Sequence, residues 1–243
     1  MRIILVGLFL IIFLILGLPY LGIQWIYSKI NKEKSDLNCL HLVQWAFRVI
    51  ASLSGVDLVV IGEENVPTDQ AILYIGNHKS YFDIVLSYAR CPRLTGYIAK
   101  NSMEKIPILS LFMKRLHCLF LNRDNPREGL KTILTGIEQI RNGISMCIYP
   151  EGTRNSTNEL MLPFKEGSLK MAEKTNCAII PMAITNSRAI FEDHFPFIKP
   201  AKVILEYGKP IYPKELSKEE QKFLGAHTQK VIREMLIKNQ ELI

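Results

Sequence analysis

The chain changes its hydrophobic rhythm at about residue 55. From Ile3 to Ser28 no side chain is charged, and 26 helical residues would reach about 39 Å, more than the roughly 30 Å of a hydrocarbon core. Gly17, Pro19 and Gly22 interrupt the run, and its strictly apolar part, Ile3–Leu18, would cover only about 24 Å. Two arrangements fit: a kinked or tilted span, or a helix that enters one leaflet and turns back. A cleaved signal peptide fits worse, because the apolar region is too long and no small-residue cleavage site precedes Lys29. Between Asn38 and Ser54, the polar residues His41, Gln44, Arg48 and Ser52 fall on one helical stripe. The remainder of that helix is mostly apolar, and Trp45 with Arg48 suits a headgroup layer.

Past Gly55, short apolar runs alternate with amphipathic ones. The pattern predicts strands at Leu58–Ile61, Ala71–Ile75, Thr95–Ala99, Cys118–Leu121, Ile144–Tyr149, Cys177–Ile184 and Lys202–Tyr207. Helices are expected at Tyr81–Ala89, Ile108–Leu116, Pro126–Arg141, Gly167–Lys174 and Pro213–Asn239, with Pro126 opening its helix and Gly143 closing it. Strands alternating with helices predict an α/β sheet covered on both faces. No repeat or flexible linker divides residues 56–243, so the chain reads as two parts: membrane-binding helices over 1–55 and one α/β domain over 56–243.

Charge sharpens the picture. Lys and Arg number 30 against 23 Asp and Glu, a formal +7. Residues 1–56 hold five basic and two acidic side chains, so the excess is concentrated beside the most hydrophobic segment and points to anionic lipid before nucleic acid. No basic–aromatic array or zinc spacing supports nucleic-acid binding. Lys29, Lys32 and Lys34 follow the first apolar run while only Arg2 and the terminal amine precede it. If that run spans, residues 29–243 lie in the cytoplasm. The five cysteines are odd in number, at least 27 residues apart and without metal-ligand spacing, which reads as free thiols in a reducing compartment.

Among the five histidines, His78 has the most informative setting, in Asn77-His78-Lys79-Ser80-Tyr81-Phe82-Asp83, just after one strand and before a helix. On a regular helix His78 and Asp83 would stand about 140° apart. With His78 on the turn, the carboxylate can reach back, fix the tautomer and leave the other ring nitrogen as a general base. Ser80 reads as a helix cap and lies in no Gly-x-Ser-x-Gly elbow; Cys118 lies in an apolar strand. Neither is expected to be a nucleophile. Tyr149-Pro150-Glu151-Gly152-Thr153-Arg154 ends another strand in a tight turn, where Gly152 admits close backbone approach and Arg154 offers a fork for phosphate oxygens. Lys100, Arg123 and Lys165 also follow apolar segments, and cations converging at neighbouring strand ends suit a phosphate monoester.

These blocks together resemble the 1-acyl-glycerol-3-phosphate acyltransferases of the wider glycerolipid acyltransferase superfamily. The His–Asp pair at 78 and 83 is similar to the family's first block, and Phe120-Leu121-Asn122-Arg123 to its second. Tyr149 through Arg154 resembles the third, and Ile179-Ile180-Pro181-Met182-Ala183 the fourth. Ala99-Lys100 with Ile106-Pro107, and Phe164-Lys165-Glu166-Gly167, fall in the same order over roughly Ile75–Ile184. The resemblance implies a mixed central sheet flanked by helices, the glycerol-3-phosphate acyltransferase-like fold, behind an N-terminal hydrophobic two-helix membrane anchor.

The resemblance further implies transfer of an acyl chain from an acyl-CoA or acyl-carrier-protein thioester to the 2-hydroxyl of lysophosphatidic acid, giving phosphatidic acid at a membrane, with the catalytic domain on the cytoplasmic face. By this carry-over His78 is the base and Asp83 its orienting partner. Arg123 and Arg154 hold the phosphate with help from Lys100 and Lys165; Glu151 hydrogen-bonds within the site, and Gly152 and Thr153 shape the loop. A thiolate leaves readily, so neither metal nor other cofactor is expected. Asn101-Ser102-Met103 and Asn122 depart from the residues frequent in the family at those places. They leave open a different acceptor, such as glycerol 3-phosphate, another lysophospholipid or a lyso-aminolipid. A non-catalytic lipid-binding protein is the remaining alternative.

Overall fold

A computed structural model describes residues 1–243. Helix α1 (Arg2–Tyr27) and helix α2 (Lys32–Ser54) form an antiparallel pair. At one end Arg2 donates Nη1 to the Leu53 carbonyl at 2.9 Å; at the other the Ser35 hydroxyl donates to the Gln24 carbonyl at 2.7 Å. Contrary to the sequence pattern, α1 runs unbroken through Gly17, Pro19 and Gly22. Gly17 serves packing: a Cβ there would stand 2.4 Å from the Phe112 ring. Helix α2 begins six residues before the apolar stripe suggests, because the Asn31 side chain caps it by accepting from Lys34 N at 2.9 Å. Gly55, at φ +74°, ends it. Both expected helices are present, but α1 alone is long and apolar enough to cross a membrane. Much of its outer face, including Ile4, Leu8, Ile11 and Ile15, is exposed.

The remaining elements alternate as expected: β1 (Val56–Ile61), β2 (Leu73–Gly76), α3 (Phe82–Tyr88), β3 (Thr95–Lys100), α4 (Leu109–Arg115), β4 (Leu119–Leu121), α5 (Pro126–Arg141), β5 (Ser145–Ile148), α6 (Lys170–Thr175), β6 (Ile179–Thr185), β7 (Ala201–Tyr207), α7 (Lys218–Lys222) and α8 (Leu224–Gln240). The long carboxy-terminal helix anticipated over Pro213–Asn239 is broken. Ser217 and Glu220 form a capping box that starts α7, and the chain leaves helical geometry again at Phe223. Likewise Gly167–Lys174 divides into a 3₁₀ turn, Glu166–Leu169, and α6.

The seven strands form one mixed sheet in the order β1-β7-β6-β2-β5-β3-β4. Strands β6, β2, β5, β3 and β4 are mutually parallel, whereas β7 runs antiparallel to β6 and parallel to β1. One face packs under α1–α4 through a cluster that includes Cys39, Leu40 and Val43 of α2 with Tyr74, Leu86 and Ile180. The other packs against α5, α6 and α8 through Ile137, Met171 and Ile232. Helix α2 therefore shares its core with the sheet.

A buried polar knot ties the amino-terminal pair to α4. Asp36 of α2 lies 2.8 Å from Lys32 Nζ, 3.0 Å from His117 Nε2 and 3.2 Å from Arg115 Nη2. Burial alone would raise its pKa, but hydrogen bonds from His117 and Lys32 and the charges of Lys32 and Arg115 outweigh that and hold it below the ordinary carboxylate range. A depressed folded pKa adds stability above the unfolded value of about 3.9, and this is lost as pH falls through the folded pKa. Asp36→Asn is therefore expected to flatten the acid limb of a thermal-stability profile below about pH 4. An unchanged acid limb in melts across that range would count against it.

Candidate active site

Five parallel strands, β6, β2, β5, β3 and β4 in spatial order, end on the same edge of the sheet. That topology brings the residues after each strand to one rim. His78 follows β2, the Glu151–Arg154 turn follows β5, Lys100 ends β3, Arg123 follows β4 and Glu192 follows β6. Strands spaced about 4.8 Å apart put the ends of β2 and β4 about 14 Å from one another.

His78 lies on the turn, and Asp83 sits in the first turn of α3. Their separation of five residues is closed by the turn: His78 Nδ1 stands 2.9 Å from Asp83 Oδ2. The same oxygen accepts from Lys79 N and Ser80 N, each at 2.7 Å. An oxygen that accepts from all three places the ring proton on Nδ1 and leaves a lone pair on Nε2, which has no partner in the protein. The imidazole stacks on Tyr149 at 4.3 Å between centroids and 15° between planes. Asp83 is fully buried, while 13% of the His78 side chain is open to solvent. Asn77 fixes the approach to this turn: its side-chain amide donates to Ile184 O at 2.9 Å and accepts from Ile184 N at 2.8 Å, clasping β2 to β6.

The turn after β5 is bound to the same structure. Glu151 accepts from His78 N at 2.6 Å and from Leu162 N at 2.8 Å. Burial pushes its carboxyl up, and those two backbone N–H groups partly oppose the shift. Asn155 N donates to His78 O at 2.7 Å, closing the loop onto the histidine backbone. Gly152 has φ +73°, and Lys165 lies across it so closely that a Cβ would stand 2.9 Å from Nζ. Gly152→Ala is expected to cost about 1–2 kcal/mol in backbone strain and to displace Lys165. Denaturant unfolding checks this; a midpoint equal to the parent's would contradict it.

Arg154 is held on two sides. Its Nη1 lies 3.2 Å from Glu192 Oε1, its Nη2 donates to Tyr81 Oη at 3.0 Å, and the guanidinium sits 3.7 Å above the Tyr81 ring. Glu192 also accepts from Ser80 Oγ at 2.6 Å and from Tyr81 N at 2.8 Å. It thereby joins the histidine turn to the arginine loop. Sequence reasoning did not single out Glu192; its only local signal is its place in the loop beyond β6. The sequence predicts Ser80 as the cap of α3, but the cap position is Tyr81; the Ser80 hydroxyl, one residue earlier, accepts from Phe82 N at 3.0 Å.

The expected site residues thus divide into two groups. His78, Asp83, Glu151, Gly152, Arg154 and Lys165 belong to one contiguous network. Lys100 and Arg123 stand exposed at neighbouring strand ends with no side-chain hydrogen bond to the protein, and Thr153 is likewise exposed. All five cysteines are free, and burial pushes the Cys118 thiol up to about 11, so little thiolate forms at neutral pH. No group of three or more His, Cys, Asp or Glu side chains is placed to hold a metal ion.

Residues 57–185, more than half of the chain, match the family model described as "Acyltransferase". The chain is 31% identical over 203 residues to a 1-acyl-sn-glycerol-3-phosphate acyltransferase of Saccharomyces cerevisiae, covering 81% of this chain and 66% of that protein. It is 30% identical over 207 residues to the enzyme of the same name from Borreliella burgdorferi, covering 84% of this chain and 77% of that one. Its fold superimposes with a TM-score of 0.79 on the crystal structure of the 1-acyl-sn-glycerophosphate (LPA) acyltransferase PlsC from Thermotoga maritima. That match covers 99% of this chain and 98% of the other at 26% identity.

Proposed function

The chain belongs to the acyltransferase family, and on that premise we propose that it transfers an acyl chain from an acyl-CoA or acyl-carrier-protein thioester to the sn-2 hydroxyl of 1-acyl-glycerol 3-phosphate, producing phosphatidic acid. The observation that carries the chemistry is the 2.9 Å contact from His78 Nδ1 to Asp83, which leaves Nε2 unpartnered at a cation-bearing rim. An alcohol is a weak nucleophile, so Nε2 removes its proton as the oxygen attacks the thioester carbonyl. The carbon–sulfur bond then breaks, and the departing thiolate takes the proton from the imidazolium. Asp83 keeps Nδ1–H in place throughout. Glu151 and Asp83 act on backbone N–H groups and fix the turn that carries the base.

Arg154, Lys165, Lys100 and Arg123 bind the phosphate. Arg154 is preset by Tyr81 and Glu192 and retains guanidinium N–H groups for the ligand; the other three carry uncommitted charge. Phosphate recognition at this rim would hold the glycerol hydroxyl near His78.

The membrane supplies the acceptor. Both ends of α1 are tied to α2, Arg2 to Leu53 and Gln24 to Ser35, and the Gln24 carbonyl also accepts from Arg115 of α4 at 3.3 Å, which holds the helix along the catalytic body. An apolar helix held along the body in this way lays its outer face into one leaflet. Acyl thioesters are soluble cytoplasmic donors, which puts the catalytic body on the cytoplasmic side.

The test is to supply purified protein in mixed micelles with each donor and with lysophosphatidate, glycerol 3-phosphate, other lysophospholipids and lyso-aminolipids, and to identify products by mass spectrometry. Phosphatidic acid is the expected major product. Its absence with both donors, or preferential acylation of another acceptor, would overturn the assignment.

A further inference from the structure

The loop from β6 to β7 displays large apolar side chains that the fold leaves in water. Phe195 is 74% exposed and Phe197 62%, on either side of Pro196. The loop is firmly seated all the same. Ile190 and Ile198 are buried in the core cluster that also takes α1 and α2. Lys199 N donates to Ile190 O at 2.9 Å, Phe197 N donates to His194 O at 2.7 Å, and Arg188 lies 3.0 Å from Asp193. Two phenylalanines on a braced hook are a fixed apolar surface, which water penalises.

Its place in the fold says what covers it. Val56 pairs with Ala201, the first residues of β1 and β7, so the end of α2 adjoins the chain that leaves this loop. Arg2, at the start of α1, is bound to Leu53 at that same corner. The exposed Met1, Ile4 and Leu8 of α1 and the two phenylalanines therefore share one side of the sheet and one corner of it. The loop's acids, Glu192 and Asp193, are paired with Arg154 and Arg188, while Lys199 beside the tip has no partner. An apolar tip with a free cation behind it matches an anionic bilayer surface. Glu192, three residues before Phe195, reaches Ser80, Tyr81 and Arg154.

We propose that the Phe195-Pro196-Phe197 tip is a second lipid contact, entering the same leaflet as α1 and holding the mouth of the site against the membrane. This rests on the membrane attachment through α1 argued above. It gives the acceptor's headgroup a short path from the leaflet to Arg154, because the hook and the arginine are joined through Glu192.

Tryptophan fluorescence against vesicles of phosphatidylcholine and phosphatidylglycerol with brominated acyl chains tests it. The native reporters, Trp25 and Trp45, are 61% and 49% exposed on the amino-terminal pair. With both replaced by phenylalanine, Phe195→Trp or Phe197→Trp places a single reporter on the hook. Quenching and a blue shift at the hook are expected, together with quenching of the native tryptophans in the parent protein. Native tryptophans quenched with a silent hook would overturn the second contact and leave the α1 attachment standing; silence of both would remove the attachment itself. As a second measurement, the Phe195→Ser/Phe197→Ser chain is expected to show an apparent KM for vesicle-borne lysophosphatidate raised about fivefold with kcat in detergent micelles unchanged. An unchanged KM on vesicles would also overturn the proposal.

Discussion

His78→Ala is expected to lower kcat about a thousandfold with either thioester donor, while the protein still sediments with vesicles. General-base catalysis contributes about 10²- to 10⁴-fold, and no other group at the rim has a free lone pair beside an orienting carboxylate. The loss would be chemical because the turn survives the substitution. Lys79 N and Ser80 N still bind Asp83, and Glu151 still accepts from the backbone N–H of residue 78. Asp83→Asn separates the charge from the orientation of the ring. Its amide oxygen would take the place of Oδ2, which accepts from Lys79 N and Ser80 N, so Nδ1–H stays in place while the imidazolium formed in the reaction loses its counter-charge. The kcat should then fall with little change in acceptor KM. Turnover of His78→Ala within a few-fold of the parent would end the general-base assignment.

Arg154→Ala is expected to reduce kcat/KM for lysophosphatidate about 100-fold, chiefly through KM. Hydrogen bonds to a charged group are worth about 1.5–3 kcal/mol, and the alanine also abandons the Tyr81 stack and leaves Glu192 without its cation. Arg154→Lys restores the charge without the planar fork that reaches Tyr81 Oη and Glu192 together. It should recover about a tenth of the parental kcat/KM. Glycerolipid kinetics across the two variants give the readout; an alanine variant with parental KM and kcat would show that the phosphate is held elsewhere.

The sequence carried much of this structure, and the reasons are specific. The seven strands were visible as short apolar runs, the central ones nearly continuous because both faces are buried, as in Ile179–Thr185, where every residue is buried, while the edge strands β1 and β4 are half-buried. Helix α5 was legible to the residue because Pro126 and Gly143 bracket it, and the structure adds a cap from the Asn125 side chain. Pro213–Asn239 was misread because its apolar periodicity continues through a break that the Ser217–Glu220 box imposes. Gly17 reads as an interruption in the sequence, whereas in the fold it lets α1 pass close to the ring of Phe112, nearly 100 residues away. At the site, the His78–Asp83 reach was readable from a five-residue spacing. Glu192 was not, since its partners Ser80 and Tyr81 lie 112 and 111 residues earlier and only the β6–β2 adjacency brings them together.

The rim is stiff at one end and loose at the other. Around His78 the turn is held by the Asn77 clasp, by Oδ2 of Asp83 and by both oxygens of Glu151. Toward the sheet margin, Lys100 and Arg123 answer to no neighbour. On the proposed reading, substitutions of Lys100 or Arg123 would alter how the headgroup is bound while leaving the His78 turn and its hydrogen bonds intact.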